Sequence, residues 1–464
     1  MSRFAHFQLR PFVAHSDLLM NRCLMALLAA LGLLSSTNLS LAANSNLIWK
    51  ADLTVKEAYD GNVYLQDKEP TPPVPGTVPA KKDSWVTTIT PRVGLDYKPC
   101  SGFNASLSYA PDIAVYHNAH SEDYFAHRFG LTLSGKADNV TWEQANALTY
   151  IDGNHLGPTF YRGTADAPAQ DVPAIGGIPL RDRRDATVYR GGLKLTYLIG
   201  DFFVRPVGAA YVHDFRTLQQ PSESPSRPGT YYENYLDRQD VNGGLDIGYD
   251  VGKKTFLVVG YRYGRQDQFR GPMYNAATVF GDSPYDSTYH RVLAGVEGTP
   301  ASWLKLALLG GPDIRTWADD TPTGFDRDEM LYWIDASITL LPTKQDSIVL
   351  LNRRYEQPAF SSQSVYEDIT YSVTWKHKFD DHWAGSAGFQ LYIGDWQAPV
   401  NREDWIYTPS ASLSYTHDKH LSAELAYSYD WVENQVPTTA VGAAYAEGRE
   451  YTRHIVSLGL KYAF

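Results

Sequence analysis

The chain has 464 residues and a formal net charge of -11, a length that would divide a soluble protein into several domains but that one closed β-barrel can absorb. Its 32 Tyr, 11 Trp and 36 Gly against 5 Met favour aromatic-rich strands and turns over helices packed on a Leu and Met core. A mean hydropathy of -0.34 excludes a polytopic helical membrane protein, and the acidic balance argues against a nucleic-acid partner.

The first segment has the features of a secretory signal peptide. The run Leu24–Leu34 is almost wholly apolar, and Ser40–Ala42 supplies the small residues that signal peptidase accepts. A run of about eleven apolar residues is too short to span a bilayer as an anchor. Residues 1–42 are therefore predicted to be a signal peptide, with Met20 as an alternative start, and the mature chain to begin near Ala43.

From Leu47 onward the apolar residues recur with a period of two, which is typical of strands with one polar and one apolar face. In the first strand the two faces are Trp49, Ala51, Leu53 and Val55 against Lys50, Asp52, Thr54 and Lys56. The same alternation recurs in Ile89–Tyr97, Phe103–Tyr109 and Val241–Tyr249. Because the polar faces would make a poor protein core, this pattern predicts a barrel with lipid outside and water inside.

The connections between these strands alternate in length. Short turns are predicted at 99–102, 135–139, 200–201, 252–254, 299–302, 342–345, 380–382 and 418–420. Long polar loops are predicted at 60–83, 117–123, 153–185, 217–236, 269–286, 319–328, 358–363, 397–403 and 432–450. Strict alternation implies an all-β, transmembrane, antiparallel up-and-down β-barrel of about eighteen strands over 43–464, with short turns in the periplasm. Sixteen strands is the alternative if the pairing of 347–356 with 366–379 is wrong.

Aromatic residues gather at two levels, as expected for rings that favour the two headgroup regions. Those beside short turns are Tyr97, Phe103, Tyr197, Phe203, Trp303, Phe379, Trp383 and Tyr415. Those toward long loops are Trp85, Phe125, Tyr150, Tyr189, Tyr211, Trp405, Tyr429 and Trp431. This distribution supports insertion into a membrane.

The last strand places four apolar or aromatic side chains on one face: Leu458, Leu460, Tyr462 and Phe464. It resembles the C-terminal signal by which outer-membrane proteins, as a broad class, are recognised by the barrel-assembly machinery. That resemblance implies location in the bacterial outer membrane, with this machinery, outer-membrane lipid and lipopolysaccharide as partners.

A barrel of about eighteen strands encloses an aqueous channel, so passive diffusion of small polar or anionic solutes is the favoured function. Six arginines are predicted on the lumen face at similar heights, roughly seven to ten residues above the nearest short turn. They are Arg92, Arg128, Arg190, Arg262, Arg291 and Arg354. They would form a basic belt that favours anions. In the alternative, each pairs with lumen carboxylates such as Asp96, Glu143, Asp246, Asp368 or Glu424.

Two further features leave alternatives open. The loop Gly153–Asp185 would either fold inward as a constriction or stay in solvent outside the cell. The acidic group Asp319, Asp320, Asp326, Asp328 and Glu329 would either gather a hard cation or simply form a charged loop. Four histidines are predicted on apolar faces near the outer interface: His127, His213, His290 and His454. No metal site, cofactor or catalytic triad is predicted.

The mature chain as a whole is similar to the second-type family of β-barrel porins of Gram-negative bacteria. The similarity rests on Trp85–Tyr97, Phe103–Tyr109, Tyr289–Gly298 and Ser457–Phe464. It implies a pore and an outer-membrane location and little about the solute, and the protein is predicted not to be an enzyme. The alternatives are a barrel enzyme that acts on lipid, or a surface-binding barrel that uses its extracellular loops; the oligomeric state is not indicated.

Overall fold

The computed structural model describes residues 46–464, apart from 64, 66, 68–81, 101, 154–185, 216–236, 270–284, 318–320, 322–323, 359–364, 398–400 and 436–449. The chain divides into two units, Met1–Leu47 and Ile48–Phe464, and the strands belong almost wholly to the second. The predicted signal peptide lies outside the described residues.

The described residues form one long antiparallel sheet. Its first strands are β1 (Leu47–Asp60), β2 (Ser84–Cys100), β3 (Phe103–Tyr109), β4 (Asp112–Tyr116), β5 (Tyr124–Ala137), β6 (Val140–Gly153), β7 (Ala186–Ile199), β8 (Phe202–Phe215) and β9 (Asp237–Asp250). They are followed by β10 (Thr255–Phe269), β11 (Ser287–Ala301), β12 (Leu304–Trp317), β13 (Leu331–Leu340), β14 (Asp346–Pro358) and β15 (Val365–Lys378). The last are β16 (Trp383–Trp396), β17 (Arg402–Thr416), β18 (Leu421–Gln435) and β19 (Tyr451–Ala463), and a single 3-10 turn, His120–Glu122, follows β4.

The sheet closes on itself through β1 and β19, which pair from Asp52 with Ala463 to Asp60 with Ile455. Both β3 and β4 lie between β2 and β5, separated by Ala110 and Pro111, because proline cannot donate to the ladder. They share one position, so the barrel has eighteen strands and the prediction is confirmed. The uncertain pair, β14 with β15, is continuous from Asp346 with His377 to Pro358 with Val365.

No helix among the described residues is long and apolar enough to cross a membrane.

Side chains on the two faces of the barrel match the predicted alternation. Trp49, Leu107, Ile247 and Leu458 are all at least half exposed on one face. The other face points inward, since Arg205 of β8 bonds to Glu297 of β11 although two strands separate them along the sheet. The exposed apolar side chains therefore form an outer belt, and the polar side chains line a lumen.

In a closed barrel the backbone N–H and C=O groups of every strand bond to a neighbouring strand, and no sheet edge is exposed to lipid. Closed barrels and helices are the two structures in which a chain can span a membrane. With an apolar outer belt and short turns sorted to one end, this one is an outer-membrane β-barrel located in the bacterial outer membrane. The aromatic prediction was wrong at Phe203 and Tyr211, which lie on the inward face in register with Gly248 and Asp240. Phe203 is 2 % exposed, because the lumen wall beside it is packed with other side chains.

Two periplasmic turns share an Asp-x-His arrangement. The Oδ1 atom of Asp380 accepts the backbone N–H groups of His382 and Trp383, both at 2.7 Å. The Oδ1 atom of Asp418 accepts those of His420 and Leu421, both at 2.8 Å. These backbone hydrogen bonds hold the pKa of both carboxyl groups below its ordinary value.

Replacing both aspartates with alanine is expected to lower stability above their pKa and to remove part of its pH dependence. A carboxyl group whose pKa is lower in the folded state stabilises the fold above its unfolded pKa, and that contribution disappears as pH falls through the folded pKa. Urea titrations of the refolded barrel at neutral and acid pH measure it. Equal midpoints for the parent and the Asp380→Ala, Asp418→Ala variant at neutral pH would contradict this prediction, and the control is Asp201→Ala, which changes an exposed aspartate in another periplasmic turn.

Candidate functional site

Five of the six predicted arginines face the lumen, and three of these are ion-paired. Their partners are Asp112 for Arg128 at 2.6 Å, Asp246 for Arg262 at 2.6 Å and Asp313 for Arg291 at 2.9 Å. Of these carboxylates only Asp246 was among the partners suggested by the sequence. The Arg190 guanidinium lies 5.1 Å from the centre of the Tyr211 ring.

Arg92 and Arg190 are both exposed and form no ion pair with any residue that the structure describes, but Arg190 lies over the Tyr211 ring whereas Arg92 borders open space. It lines a cavity of about 390 Å³ together with Arg128 and Lys461. This cavity therefore holds an unpaired guanidinium with two paired cations beside it, an arrangement that attracts anions.

The prediction was wrong for Arg354. It lies opposite Ile334 and Ile369 on the outer face, where its Nε and Nη2 donate to both oxygens of Glu367 at 2.9 and 2.6 Å. An outward ion pair is tolerated at this position because the extracellular ends of β14 and β15 extend beyond the apolar outer belt. The neighbouring Arg353 takes the inward position and lies 3.4 Å from Asp335.

Sequence reasoning missed several inward cations near the periplasmic end. Seven lysines, six of them exposed and Lys461 half-buried, lie on the inward face within a few residues of the short turns or chain ends: Lys50, Lys98, Lys136, Lys194, Lys305, Lys376 and Lys461. Lys50 contacts Asp96, and Lys461 lies 3.4 Å from Asp52. The other five form no ion pair with the described part of the chain, although Glu143 lies directly opposite Lys194. We call these seven residues the lysine ring; the alternation of faces was the signal that could have found them.

One side of the lumen wall carries a buried ion-pair network. Arg205 donates from Nε to Asp246 Oδ2 at 3.0 Å and from both terminal nitrogens to Glu297 at 2.7 and 2.9 Å. Asp246, only 1 % exposed, also accepts from Arg262. Because these charges neutralise one another, this wall offers little net charge to a solute.

The upper end of β14 separates from β13, whereas β15 stays paired with β16 as far as Tyr366 and Trp396. Pairing of β13 with β14 ends at Ile334 and Arg354, whereas β14 and β15 stay paired for four more residues. We call residues 355–358 and 365–368 the tip. Its side chains include the buried Glu356, Val365 and Tyr366, and the Tyr366 ring stacks on Trp396 with centres 4.7 Å apart.

Inward side chains of three other strands, β9, β10 and β12, donate hydrogen bonds to the tip. Arg238 of β9 donates to the Pro358 carbonyl at 2.7 Å. Gln266 of β10 and Arg315 of β12 donate to the Glu356 carbonyl at 3.1 and 3.0 Å. Bonds from β9 to β14 run across the lumen, so the tip narrows the extracellular mouth. The sequence offered Gly153–Asp185 as a candidate constriction, with a solvated loop as the alternative, and the residues after Gly153 lie outside the described part of the chain.

Apolar side chains pack around the same mouth. One cluster joins Leu65 to Ile406, Val432 and Tyr451, and another joins Val63 to Val86, Ala114, Tyr116 and Ala119. A third joins Tyr285, Trp317, Phe325, Leu331 and Val365. The extracellular third of the inward face is therefore packed, while lysines remain exposed at the periplasmic end.

The predicted assembly strand is β19. Leu458, Leu460, Tyr462 and Phe464 all point outward and are 46–59 % exposed. The Phe464 ring meets the Tyr462 ring edge-on with centres 5.1 Å apart, and its N–H donates to the Ala51 carbonyl at 3.0 Å.

The remaining predicted features have no metal-binding geometry. Among the described residues, no group of three or more His, Cys, Asp or Glu is placed to hold a metal ion. Asp319 and Asp320 lie outside those residues, and burial beside other carboxylates raises the pKa of Glu329.

Three of the four predicted histidines point outward. The Nδ1 atom of each forms a hydrogen bond with a tyrosine hydroxyl: His127 with Tyr109, His290 with Tyr261 and His454 with Tyr427. His213 instead faces inward and is buried, which corrects its predicted position.

No family model matches the chain, and no curated protein matches it. Solved structures with a similar fold include the ferric enterobactin receptor PfeA of Pseudomonas aeruginosa, at 8% identity and a TM-score of 0.43, with 90% of this chain and 81% of that chain covered. Another is the outer membrane protein OpdK of Pseudomonas aeruginosa, at 8% identity and a TM-score of 0.39, with 90% and 98% covered. OmpT of Vibrio cholerae has 12% identity and a TM-score of 0.32, with 90% and 97% covered. At these values the likenesses carry no argument about function.

Proposed function

We propose that the protein is a channel for the passive diffusion of small polar or anionic solutes, with no catalytic role. The observation that carries the proposal is the lysine ring, which places exposed cations around the periplasmic opening of a polar lumen. Rings of basic side chains attract anions in pores.

The size of the barrel agrees with this function. Barrels of sixteen to eighteen strands leave room for an aqueous channel, whereas those of eight are filled by their own side chains. The inward residues beside the short turns stay exposed, including Lys98, Lys305 and Lys376. A solute would therefore meet water and charge at the periplasmic end and the narrow passage beside the tip at the other.

The inward arginines contribute less to selectivity than a free belt would. Arg128, Arg262 and Arg291 each have a carboxylate within 2.9 Å, which cancels most of their field at a distance. We therefore expect a modest preference for anions. The acidic extracellular loops would contact lipopolysaccharide through bridging divalent ions.

Reversing the charge of two ring lysines is expected to weaken this preference strongly. In Lys305→Glu, Lys376→Glu protein, two exposed cations without ion pairs become anions, so the net positive charge of the ring falls by four. Reversal potentials of reconstituted channels under a KCl gradient measure the change. The matched control is Lys253→Glu, Lys254→Glu, which alters two lysines in a periplasmic turn outside the lumen. An unchanged reversal potential would remove the ring from the selectivity mechanism.

The channel and enzyme hypotheses separate in one preparation of liposomes. Purified refolded protein is expected to let small sugars swell the liposomes and to leave their phospholipid intact. Hydrolysis of phospholipid without swelling would contradict the proposed function.

A further inference from the structure

We propose that the cavity beside Arg92 is a binding site for a small hydroxylated organic anion, whose carboxylate Arg92 holds. This inference rests on the proposed channel function, because it names the class of solute that such a channel would favour. The proposal stands on where the cavity lies, which charges it contains and what keeps it open.

The cavity exists because the barrel wall is interrupted there. Between β3 and β4 the chain passes through Ala110 and Pro111, so Arg92 faces a break in the ladder on that side. Ala110 keeps one bond, from its N–H to the Arg128 carbonyl at 2.9 Å. Gly130 also keeps the space open, since a Cβ there would lie 2.7 Å from Ser108 Oγ.

The charges in the cavity are of both signs, but those other than Arg92 are paired. Arg128 is ion-paired with Asp112, whose carboxylate also accepts a hydrogen bond from the Thr90 hydroxyl at 2.7 Å. Lys461 lies 3.4 Å from Asp52. Arg92 alone brings a guanidinium with no carboxylate partner among the described residues, and its planar fork suits a carboxylate.

The rest of the lining suits hydroxyl groups. Thr54, Thr90 and Ser108 border the cavity, and each hydroxyl can donate one hydrogen bond and accept two. A volume of about 390 Å³ has room for a six-carbon hydroxy acid with water around it. A carboxylate with several hydroxyls therefore matches the site better than chloride or a neutral sugar.

The test uses gluconate as the probe and glucose as its uncharged counterpart. Binding to the detergent-solubilised full chain is measured by titration calorimetry, and gluconate permeability relative to chloride is measured by reversal potentials. Arg92→Gln is expected to weaken gluconate binding and permeability by roughly tenfold, as expected for a hydrogen bond to a charged group, and to leave glucose unaffected. Arg353→Gln is the matched control, since Arg353 also faces the lumen at a similar height and is exposed.

The results of this test distinguish failure of the proposed binding site from failure of the proposed channel function. If gluconate binds and Arg92→Gln abolishes the binding, but no currents appear, the site stands and the channel function fails. If currents appear and Arg92→Gln behaves like Arg353→Gln in both measurements, the site is wrong and the channel function stands. Equal binding of gluconate and glucose by the parent protein would also overturn the proposal.

Discussion

Replacing Arg238 and Arg315 with alanine is expected to loosen the tip and raise single-channel conductance. These residues donate to the Pro358 and Glu356 carbonyls, and the guanidinium of Arg315 is almost fully buried. Hydrogen bonds from charged groups contribute about 1.5–3 kcal/mol each, so the double variant loosens residues 355–358, which keep the Gln266 bond and their pairing with β15. The barrel itself should persist, because β14 and β15 remain paired below the tip along their whole length.

The control for this prediction removes two lumen cations that do not touch the tip. Lys305→Ala, Arg353→Ala protein loses the same charge but keeps the bonds to the two carbonyls. Conductance should rise in the tip variant alone, and hydrogen exchange should accelerate at residues 355–358. A conductance equal to that of the control would show that the tip does not limit the flow of ions.

Changing Phe464 to serine is expected to reduce strongly the amount of folded protein in the outer membrane. The substitution keeps the backbone bond to Ala51 and removes only an outward ring that is 59 % exposed. The stability lost with one such side chain is at most about 1.5–3 kcal/mol, which would leave the refolded protein folded in detergent. A strong loss in cells with normal refolding in detergent would therefore indicate recognition by the assembly machinery.

Phe389→Ser is the matched control for this effect. Phe389 is also a lipid-facing phenylalanine, 43 % exposed, but it lies in the middle of β16. Quantitative blotting of heat-modifiable protein in outer-membrane fractions measures both variants. If the two variants assembled equally well, or equally badly, β19 would carry no special signal.

The eighteen strands were predictable because the period of two and the sorting of turns by length are local in sequence. Arg354 was misplaced because Arg353 and Arg354 are adjacent, so alternation puts one on each face and does not say which. The rule that outward residues are apolar also fails where strands rise above the lipid. Phe203 was misplaced for the opposite reason, since a packed lumen wall accepts an aromatic ring as readily as lipid does.

The tip could not have been predicted from the sequence. It depends on the separation of β14 from β13 beyond Ile334, although β13 itself continues to Leu331, and on donors from β9, β10 and β12 that are distant in sequence from the carbonyls they bind. Such contacts follow from closure of the barrel and leave no local pattern. The lysine ring, in contrast, follows directly from the alternation and was overlooked because only arginines at mid-height were considered.

Thiol labelling from outside the cell tests the central claim, a continuous aqueous path through the barrel, most directly. In a Cys100→Ser background, Arg92→Cys would place a thiol in the lumen, and Val93→Cys would place one on the outer face, where Val93 is 42 % exposed toward lipid. A small membrane-impermeant methanethiosulfonate added to intact cells is expected to modify the cysteine at position 92 and to spare the one at 93. Modification at 93 alone, or at neither position, would contradict the claim.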